Sequence, residues 1–522
     1  MKRRDFIKNS LAIGAGVYAP NLLHASDNQQ PAQRAGTHQP ARSTDKPHVI
    51  FIMSDQQRAD ALGCMGNKAV ISPNIDRLAQ EGTLFVSGYS SVPSSTPARA
   101  GLLTGMSPWN HGMLGYGKVA TDYKYKMPQM MRDLGYYTFG IGKMHWSPQK
   151  SLHGFHATLV DESGRKDEPD FVSDYREWFQ LNAPGQDPDL TGIGWNDHGA
   201  GVYQLDEKLH PTTWTGQKAC ELIRNYDNDN PLFLKVSFAR PHSPYDPPQR
   251  YLDLYKDVDI PPPVVGDWCK GDYTELKKPS EVAKDAAFAN LGEEYAINSL
   301  RHYYASITFI DDQVGEIIKT LKEKGMYDNA LICYVSDHGD MMGDHHHWRK
   351  TYAYEGSSKV PFIMKWPESM ATGIEKGGMS DKPVELRDLL PTFMDIGGGE
   401  VPDDMDGRSL YGLVARGDAW RKYIDIEHAT CYAEENYWCS LTDGKVKYIW
   451  FMRTGEEQLF DLVTDPGEIS DLSQSRKHRK LLEEMRGEMV SHLSERGDGF
   501  VKEGKLVRRD KTLLYSPNYP KK

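Results

Sequence analysis

The sequence predicts an α/β fold, in which a large, doubly wound and mostly parallel sheet is flanked by helices and followed by a smaller C-terminal α+β subdomain. Three observations support this prediction. Short apolar runs recur along the first two thirds of the chain, helix-like stretches lie between and after them, and the C-terminal part changes to alternating polar and apolar positions. Strands that alternate with helices along a chain are typical of doubly wound sheets.

The apolar runs have the character of central strands. Each is short and apolar on both faces, like a parallel strand that is covered on both sides. Asp55 follows the first run closely, and Asp337 follows the last. Because ligands bind beyond the carboxyl ends of such strands, both acids are candidate site residues. The predicted strands are 48–53, 137–142, 231–238 and 330–335, and the predicted helices are 74–81, 303–324 and 384–396.

The C-terminal part has a different pattern. Residues 445–451 alternate like an edge strand, a turn follows at 455–456, and 458–462 can return as a hairpin. Residues 476–493 then show helical spacing. We therefore divide the folded chain into a main α/β domain, 47–422, and a C-terminal α+β subdomain, 423–522.

The N-terminal residues indicate export. Paired arginines at positions 3 and 4 precede an apolar stretch at 10–23, and this order resembles a twin-arginine signal. We expect an export signal at 1–26, a disordered linker at 27–46, and a protein that is periplasmic or secreted. No later apolar run approaches the ~18 residues that a membrane span needs, so no transmembrane segment is predicted.

Composition excludes some classes of function. Sixty-two Lys and Arg stand against 73 Asp and Glu, a net charge of −11, which argues against nucleic-acid binding. Six cysteines are too few for a disulfide scaffold, and only Cys431 and Cys439 lie close enough in sequence to suggest a local bridge. The sequence leaves the oligomeric state open.

One short motif has the residue types of a nucleophilic site. Pro97 predicts a helix that starts near it, with Ser95 just before the helix, at an end that favours anions, and Arg99 one turn inside. Taken alone, this pattern fits an N-cap at Ser95 or Thr96 better than a site.

The wider pattern changes that interpretation. Ser95-Thr96-Pro97-Ala98-Arg99, followed by residues 101–105, resembles the signature of the formylglycine-dependent sulfatases of the alkaline phosphatase superfamily, among them the exported bacterial carbohydrate sulfatases. In that family a Cys or Ser at this position is oxidised to formylglycine. The resemblance extends in order from about 48 to 472. Its other segments are 52–56, 142–146, 240–245, 336–339, 350–361, 386–392, 406–410 and 458–462.

The resemblance implies roles for individual residues. It implies catalytic roles for Ser95, Arg99, Lys143, His145, His242 and Lys350, and a metal site made by Asp55, Gln56, Ser95, Asp337 and His338. The family favours Ca²⁺, which suits the oxygen ligands, whereas a histidine ligand leaves Mn²⁺ or another divalent ion open. The cation, the two lysines and the arginine would offset the charge of a sulfate ester.

The resemblance also implies how the histidines and the formylglycine act. Hydrated formylglycine has two hydroxyls, one for attack on sulfur and one for release of sulfate, whereas plain serine lacks the second. His242 is expected to be a protonated general acid for the leaving group, and His145 to support the formylglycine hydroxyl, although these two roles can be exchanged.

Two departures from the commonest family pattern matter. Ser95 replaces Cys, so its oxidation implies a serine-type, iron–sulfur radical maturing enzyme. Gln56 stands where many members have aspartate, which is similar to the phosphonate monoester hydrolases. The leading interpretation is an exported sulfatase that acts on sulfated carbohydrates. The alternatives are a phosphonate monoester or phosphodiester hydrolase and a catalytically silent glycan-binding protein.

Substrate contacts are predicted from two loops. His347 and Trp348 precede Lys350 and are expected at the mouth of the pocket, whereas the three adjacent histidines at 345–347 are not expected to converge on one ion. Trp195 and His198, in the insert 151–210, can form sugar subsites, although aromatic residues more often belong to the core.

Overall fold

The structure is a computed structural model that describes residues 46–520. The predicted export signal and nearly all of the predicted linker lie outside the described residues. Within 46–520, no helix combines the length and the apolar character needed to cross a membrane.

Sixteen strands and eleven α-helices are formed by the described residues. The strands, in chain order, are β1 (His48–Asp55), β2 (Thr83–Phe85), β3 (Gly88–Tyr89), β4 (Tyr137–Gly142), β5 (Ala157–Val160), β6 (Leu232–Pro241), β7 (Ala330–Ser336), β8 (Phe362–Lys365), β9 (Gly378–Ser380), β10 (Val384–Glu385), β11 (Ile424–His428), β12 (Trp438–Thr442), β13 (Val446–Phe451), β14 (Glu457–Asp461), β15 (Val501–Lys502) and β16 (Lys505–Leu506). The helices are α1 (Pro73–Glu81), α2 (Ser95–Thr104), α3 (Pro108–His111), α4 (Met127–Asp133), α5 (Asp174–Asn182), α6 (Pro211–Arg224), α7 (Gln249–Asp253), α8 (Glu293–Glu323), α9 (Glu355–Ser358), α10 (Leu389–Ile396) and α11 (Arg479–Leu493).

The main sheet has eight strands in the order β5-β4-β6-β1-β7-β8-β2-β9. The first five of these run parallel, and β8 is antiparallel to both of its neighbours. Register aligns the carboxyl ends of the central strands, with Asp55 opposite Pro241 on β6 and Ser54 opposite Ser336 on β7. The prediction of a mostly parallel sheet is confirmed, and its strand ends meet at one edge.

Both faces of the central strands are buried, as the apolar runs predicted. On β1, Val49, Phe51 and Met53 point into a core that also contains residues of α2, α4 and α10. Ile50 and Ile52 point into the opposite core, against α1, α6 and α8. Two covered faces leave only the edges of the sheet and its loops for binding.

The predicted helices differ from the observed ones at one place. Residues 74–81 and 303–324 fall almost entirely within α1 and α8, and α8 starts ten residues earlier than predicted. The predicted helix 384–396 is instead the strand β10, a 3₁₀ turn and the short helix α10. Asp388 causes the break, because its carboxylate accepts the backbone N–H of Glu385 at 3.0 Å and so closes the turn.

The C-terminal subdomain contains the antiparallel sheet β11-β12-β13-β14, with α11 packed against it. The predicted hairpin is the pair β13 and β14. The suggested bridge between Cys431 and Cys439 is absent, because both are free thiols. Cys439 lies buried on β12 with its Sγ 3.8 Å from a Glu427 carboxylate oxygen.

Candidate active site

The carboxyl edge of the main sheet gathers charged residues. Asp55 ends β1, Asp337 directly follows β7, Lys143 follows β4 and His242 follows β6. The backbone N–H of His242 donates to the Asp55 carbonyl oxygen at 3.0 Å, which ties two of these strand ends together. The structure thus brings together residues that are far apart in sequence.

Ser95 lies at the start of the buried helix α2. The helix begins at Ser95 itself, two residues earlier than predicted, and Ser94 is the extended residue before it. Ser94 does not cap the helix with its side chain, because its hydroxyl bonds Nε2 of His428 at 2.8 Å. Ser95 is 1% exposed, and its hydroxyl donates to Nε2 of His338 at 3.0 Å.

Asp55, Asp337 and His338 form a cluster whose ligand atoms all lie within 4.8 Å of one another. Nδ1 of His338 donates to the Gly339 carbonyl at 2.9 Å, which leaves its Nε2 lone pair facing Ser95. Oδ1 of Asp55 is buried and has no hydrogen-bond partner among residues 46–520. Two carboxylates, one of them with an unpaired oxygen, and a neutral imidazole are donors that a divalent cation accepts.

Arg99 joins the two carboxylates. Its Nη2 donates to Asp55 at 2.9 Å, its Nε to Asp337 at 2.9 Å, and its Nη1 to the Lys143 carbonyl at 2.7 Å. Lys143 Nζ lies 2.6 Å from the same Asp55 oxygen. Burial alone would raise the pKa of Asp55, but Lys143, His242 and Arg99 outweigh burial and hold that pKa well below its usual range.

Gln56 connects the cluster of Asp55, Asp337 and His338 with Lys350 and Asp340. Its backbone has a φ of 65°, which is uncommon for a residue with a side chain. The Gln56 N–H donates to Asp337 at 3.0 Å, while its side-chain oxygen accepts from Lys350 at 2.7 Å and its side-chain nitrogen donates to Asp340 at 2.5 Å. The amide group is therefore fixed on both sides.

His242 and Lys350 form a pair. Nδ1 of His242 donates to the Ser243 carbonyl at 2.9 Å, and its Nε2 accepts from Lys350 at 2.7 Å. Burial, helped by Lys350 and Lys143, lowers the pKa of His242 well below its usual value. Burial also lowers the pKa of Lys350 to about 8. The expectation of a protonated His242 is corrected, because in this arrangement the shared proton belongs to Lys350.

His145 is the last of the residues with a predicted catalytic role. Both of its ring nitrogens are buried without a hydrogen-bond partner in the described part of the chain. Burial, and then the charges of Arg165 and Lys143, lower the pKa of His145, so the ring is neutral. Its backbone N–H donates to Glu162 at 2.8 Å, which fixes a residue with a φ of 59°. A neutral ring with two unused nitrogens can accept or donate a proton.

The predicted substrate residues have different placements. Trp195 lies at the site, 6.0 Å from the His242 ring and 5.8 Å from Lys143 Nζ. The expectation for Trp348 and His198 is corrected, because both side chains are buried and their polar atoms are already paired. Trp348 donates to the Ala289 carbonyl at 2.9 Å, and His198 bonds Tyr295 at 2.8 Å and the Ala283 carbonyl at 3.1 Å.

His347 is placed away from the catalytic cluster. Its ring is enclosed by Phe288 at 5.0 Å and Tyr352 at 4.6 Å, and its Nδ1 bonds the His345 carbonyl at 2.6 Å. It lines a cavity of about 960 Å³ that is formed partly by the C-terminal sheet and by none of the predicted catalytic or metal-binding residues. Its expected place at the mouth of the catalytic pocket is therefore corrected.

Sequence reasoning missed three supporting residues. Asp340 accepts from Gln56 and, at 2.6 Å, from the hydroxyl of Tyr245. Glu162 accepts the backbone N–H groups of Met144, at 3.1 Å, and His145. The position of Asp340 three residues after Asp337 and the place of Tyr245 in the segment 240–245 were the available signals, whereas nothing in the sequence linked Glu162 to the site.

Comparison with known proteins identifies the family of the chain. Residues 47–399 match the family model described as Sulfatase, and 343–495 match the C-terminal region of N-sulphoglucosamine sulphohydrolase. An arylsulfatase of Clostridium perfringens is 37% identical over 478 residues, which cover 89% of this chain and 98% of that protein.

Two solved structures share the fold. The phosphonate monoester hydrolase of Agrobacterium radiobacter has a TM-score of 0.71 at 23% identity, over 89% of this chain and 100% of its own. A protein solved with its substrate D-glucosamine-2-N,6-O-disulfate has a TM-score of 0.68 at 21% identity, over 87% of this chain and 99% of its own. With the family match over most of its length and the arylsulfatase relative, this chain belongs to the sulfatase family and is a sulfuric ester hydrolase.

Proposed function

We propose that the protein is an exported sulfatase, periplasmic or secreted, that removes sulfate from carbohydrates through a formylglycine made from Ser95. The observation that carries this proposal is the position of Ser95, at the start of a buried helix and 3.0 Å from His338 in the acidic cluster. The helix end and the neighbouring cations favour an anion there. The carbohydrate part is supported by the relative that was solved with a sulfated glucosamine.

The residues present fit a divalent cation. Asp55, Gln56 and Asp337 would hold it through oxygen, with His338 and the modified residue 95 completing the set. The unpaired Oδ1 of Asp55 is the observation that supports this assignment. Three oxygen donors suit Ca²⁺, and the histidine tolerates Mn²⁺. Such an ion would supply positive charge against the sulfate group.

Three basic side chains of the protein also supply positive charge against the sulfate group. Arg99 and Lys143 are buried and held by Asp55, so they keep their positions without reorganising when an anion enters. Lys350, fixed by Gln56, is a third such cation. Cations held this way stabilise the charge that develops on the sulfate oxygens during transfer, and this contribution is commonly the largest in such reactions.

The Lys350–His242 pair can supply a proton to the leaving group. A sugar oxygen leaves poorly as an alkoxide, so a proton at that oxygen speeds its departure, typically by about 10²–10⁴-fold. His242 donates its Nδ1 proton to the Ser243 carbonyl and accepts a hydrogen bond at Nε2 from Lys350, whose ammonium group carries the proton of the pair. His145, whose two ring nitrogens have no hydrogen-bond partner within residues 46–520, would take a proton from the hydroxyl at position 95.

Formylglycine at position 95, once hydrated, would supply two hydroxyls on one carbon, which serine lacks. Its formation requires a serine-type radical maturing enzyme as a partner. The test is the mass of the peptide that contains residue 95, from protein made in its native host or with such an enzyme. We expect the loss of two hydrogens at Ser95. Unmodified serine, from a host that matures other serine sites, would contradict the mechanism.

A matched variant makes the test stricter. Ser95→Cys should be matured, and active on sulfate esters, in a host whose maturing system accepts only cysteine, whereas the wild type should be inactive there. Glycan binding without turnover, even after maturation with the serine-type enzyme, would instead favour a catalytically silent glycan-binding protein.

A phosphonate monoester or phosphodiester hydrolase is the second candidate. Gln56, which replaces the aspartate common in sulfatases, favours it together with His338. Matched aryl esters separate the two functions. We expect faster hydrolysis of 4-nitrophenyl sulfate than of 4-nitrophenyl phenylphosphonate, and the reverse order would favour the second candidate.

A further inference from the structure

A polar cleft of about 330 Å³ lies beside the catalytic cluster. Trp195 connects the two, because it lines this cleft and its ring also lies 6.0 Å from the ring of His242. The cleft is walled by the loop that carries Trp195, by Asp161, which directly follows β5, and by Arg240 near the end of β6. Its volume lies at the lower end of the range for small-ligand sites.

Asp161 occupies a position equivalent to those of the catalytic residues. It directly follows β5, as Lys143 follows β4 and Asp337 follows β7. Val160 pairs with Gly142 in the sheet, and the Asp161 N–H donates to the Gly142 carbonyl at 3.2 Å. Asp161 and Lys143 therefore leave adjacent strands at the same edge, about 5 Å apart along the sheet.

Several polar groups of the cleft lack partners. Oδ1 of Asp161 accepts the Ser163 N–H at 3.0 Å, but its Oδ2 has no hydrogen bond within residues 46–520, and neither have the Ser163 hydroxyl and Nε of Arg176. Asp161 is only 1% exposed. Burial raises the pKa of this carboxyl, although the Ser163 N–H and the charge of Arg240 lower it. Buried polar groups normally have partners, so this concentration indicates a missing one.

Both arginines of the cleft are paired with carboxylates, and the Asp161 carboxylate is the charged group left over. Arg176 pairs with Asp189 at 2.6 Å, and Arg240 pairs with Asp246 at 2.8 Å. Neither arginine is left as a free cation to attract a second sulfate. The unpartnered groups are one carboxylate oxygen, one hydroxyl and one N–H, which together match the donors and acceptors of neighbouring sugar hydroxyls.

We propose that this cleft binds an uncharged, hydroxyl-bearing ring of the substrate, next to the sulfated group, with Asp161 as a residue that determines specificity. The inference rests on the proposed carbohydrate sulfatase function and adds the place and chemistry of the leaving group. Trp195 offers an aromatic face between the two sites, and Asp161 accepts a hydrogen bond from a ring hydroxyl.

The test compares two kinds of substrate on matured enzyme. The probes are 4-nitrophenyl sulfate, which has no hydroxyls, and sulfated disaccharides released from carrageenan, in which the ring next to the sulfated one carries hydroxyls and no carboxylate. Asp161→Asn keeps the acceptor for Ser163 but places an NH₂ where Oδ2 stood. We expect kcat/KM for the disaccharide that the wild type cleaves to fall by about 10- to 100-fold, the loss typical of a hydrogen bond to a charged group. Activity on 4-nitrophenyl sulfate should change less than twofold.

Two further variants serve as a second test and as a control. Arg176→Lys removes the unpaired Nε while keeping the charge beside Asp189, and it should also act selectively on the disaccharide if Asp161→Asn folds poorly. Asp206→Asn, an exposed residue outside the cleft, should change neither activity.

The outcomes separate the inference from the function on which it rests. The proposed role of the cleft, but not the sulfatase function, would be overturned by either of two results. Asp161→Asn and Arg176→Lys could change kcat/KM equally for both substrates, or they could change it for neither. Selective loss only for disaccharides with a second sulfate on the neighbouring ring would also overturn it, since the occupant would then be an anion. Turnover of the aryl ester with no turnover of any disaccharide would instead overturn the carbohydrate function, and with it the cleft.

Discussion

Asp340→Asn tests whether Gln56 is a metal ligand that Asp340 positions. Oδ2 of Asp340 accepts from Gln56 at 2.5 Å and from Tyr245 at 2.6 Å, while Oδ1 accepts the N–H groups of Met342 at 3.0 Å and Arg349 at 2.9 Å. An asparagine has one acceptor oxygen for these two pairs of donors. If the NH₂ group of this asparagine faces Gln56, two donors face each other and the Gln56 amide must turn. Lys350 then loses the Gln56 side-chain oxygen as its acceptor.

The magnitude follows from these contacts. A lost hydrogen bond to a charged group costs about 1.5–3 kcal/mol, and this is the expected loss in the free energy of unfolding. Loss of an outer residue that orients a metal ligand typically weakens metal binding by about 10- to 100-fold. The assays are guanidinium unfolding with chelator present and calorimetric titration of the metal-free protein with Ca²⁺.

A neighbouring carboxylate provides the control. Asp344 is also buried and accepts from Arg58 at 2.7 Å and from the Val264 N–H at 3.0 Å, but it does not contact Gln56. Asp344→Asn should therefore lower stability without changing Ca²⁺ affinity. If Asp340→Asn lowers stability equally and Ca²⁺ affinity stays within twofold of the wild type, Gln56 is not held for the metal and the reasoning is refuted.

Three further predictions concern the nucleophile, the metal and acid stability. Ser95→Ala should abolish sulfatase activity while the melting temperature stays close to that of the wild type, and near-normal turnover would overturn the site. EGTA should lower the melting temperature, since a ligand at 100 times its Kd stabilises by about 2.7 kcal/mol, and an unchanged value would argue against a bound cation. Burial lowers the pKa of His153 to about 4, so unfolding takes up a proton as pH falls from about 6.5 to 4, and stability drops by about 1.4 kcal/mol per pH unit. His153→Asn, which suits the φ of 42°, should reduce that slope in urea unfolding, and an identical slope would show that His153 is not the group.

Much of the fold could be predicted because buried parallel strands leave a simple signal. Runs that are apolar on both faces located the central strands, and the switch-point rule then identified Asp55 and Asp337 from their positions at strand ends. The prediction failed where a side chain overrides a pattern. Residues 384–396 have apolar positions that fit a helix, but the Asp388 carboxylate closes a turn on Glu385 and delays the helix.

Part of the site could not be predicted, because burial of single residues depends on distant partners. Trp348 and His198 are 150 residues apart, yet their rings lie 5.1 Å from each other in the core. Nothing local distinguishes them from Trp195, which does reach the site. The role of Asp340 depends on the unusual backbone of Gln56, which the sequence does not reveal.

The site combines residues at strand ends, which the core holds in place, with residues on loops, and the two groups should affect activity differently. Asp55, Lys143, His242 and Asp337 lie at the ends of strands whose two faces are buried, so their positions are set by the core. Most of the proposed leaving-group cleft is formed by loop residues such as Trp195. Changes at these four residues should therefore alter kcat for every sulfate ester, because they disturb the charges around sulfur. Changes in the loop should alter kcat/KM for sugar substrates alone, because an aryl sulfate makes no use of the cleft.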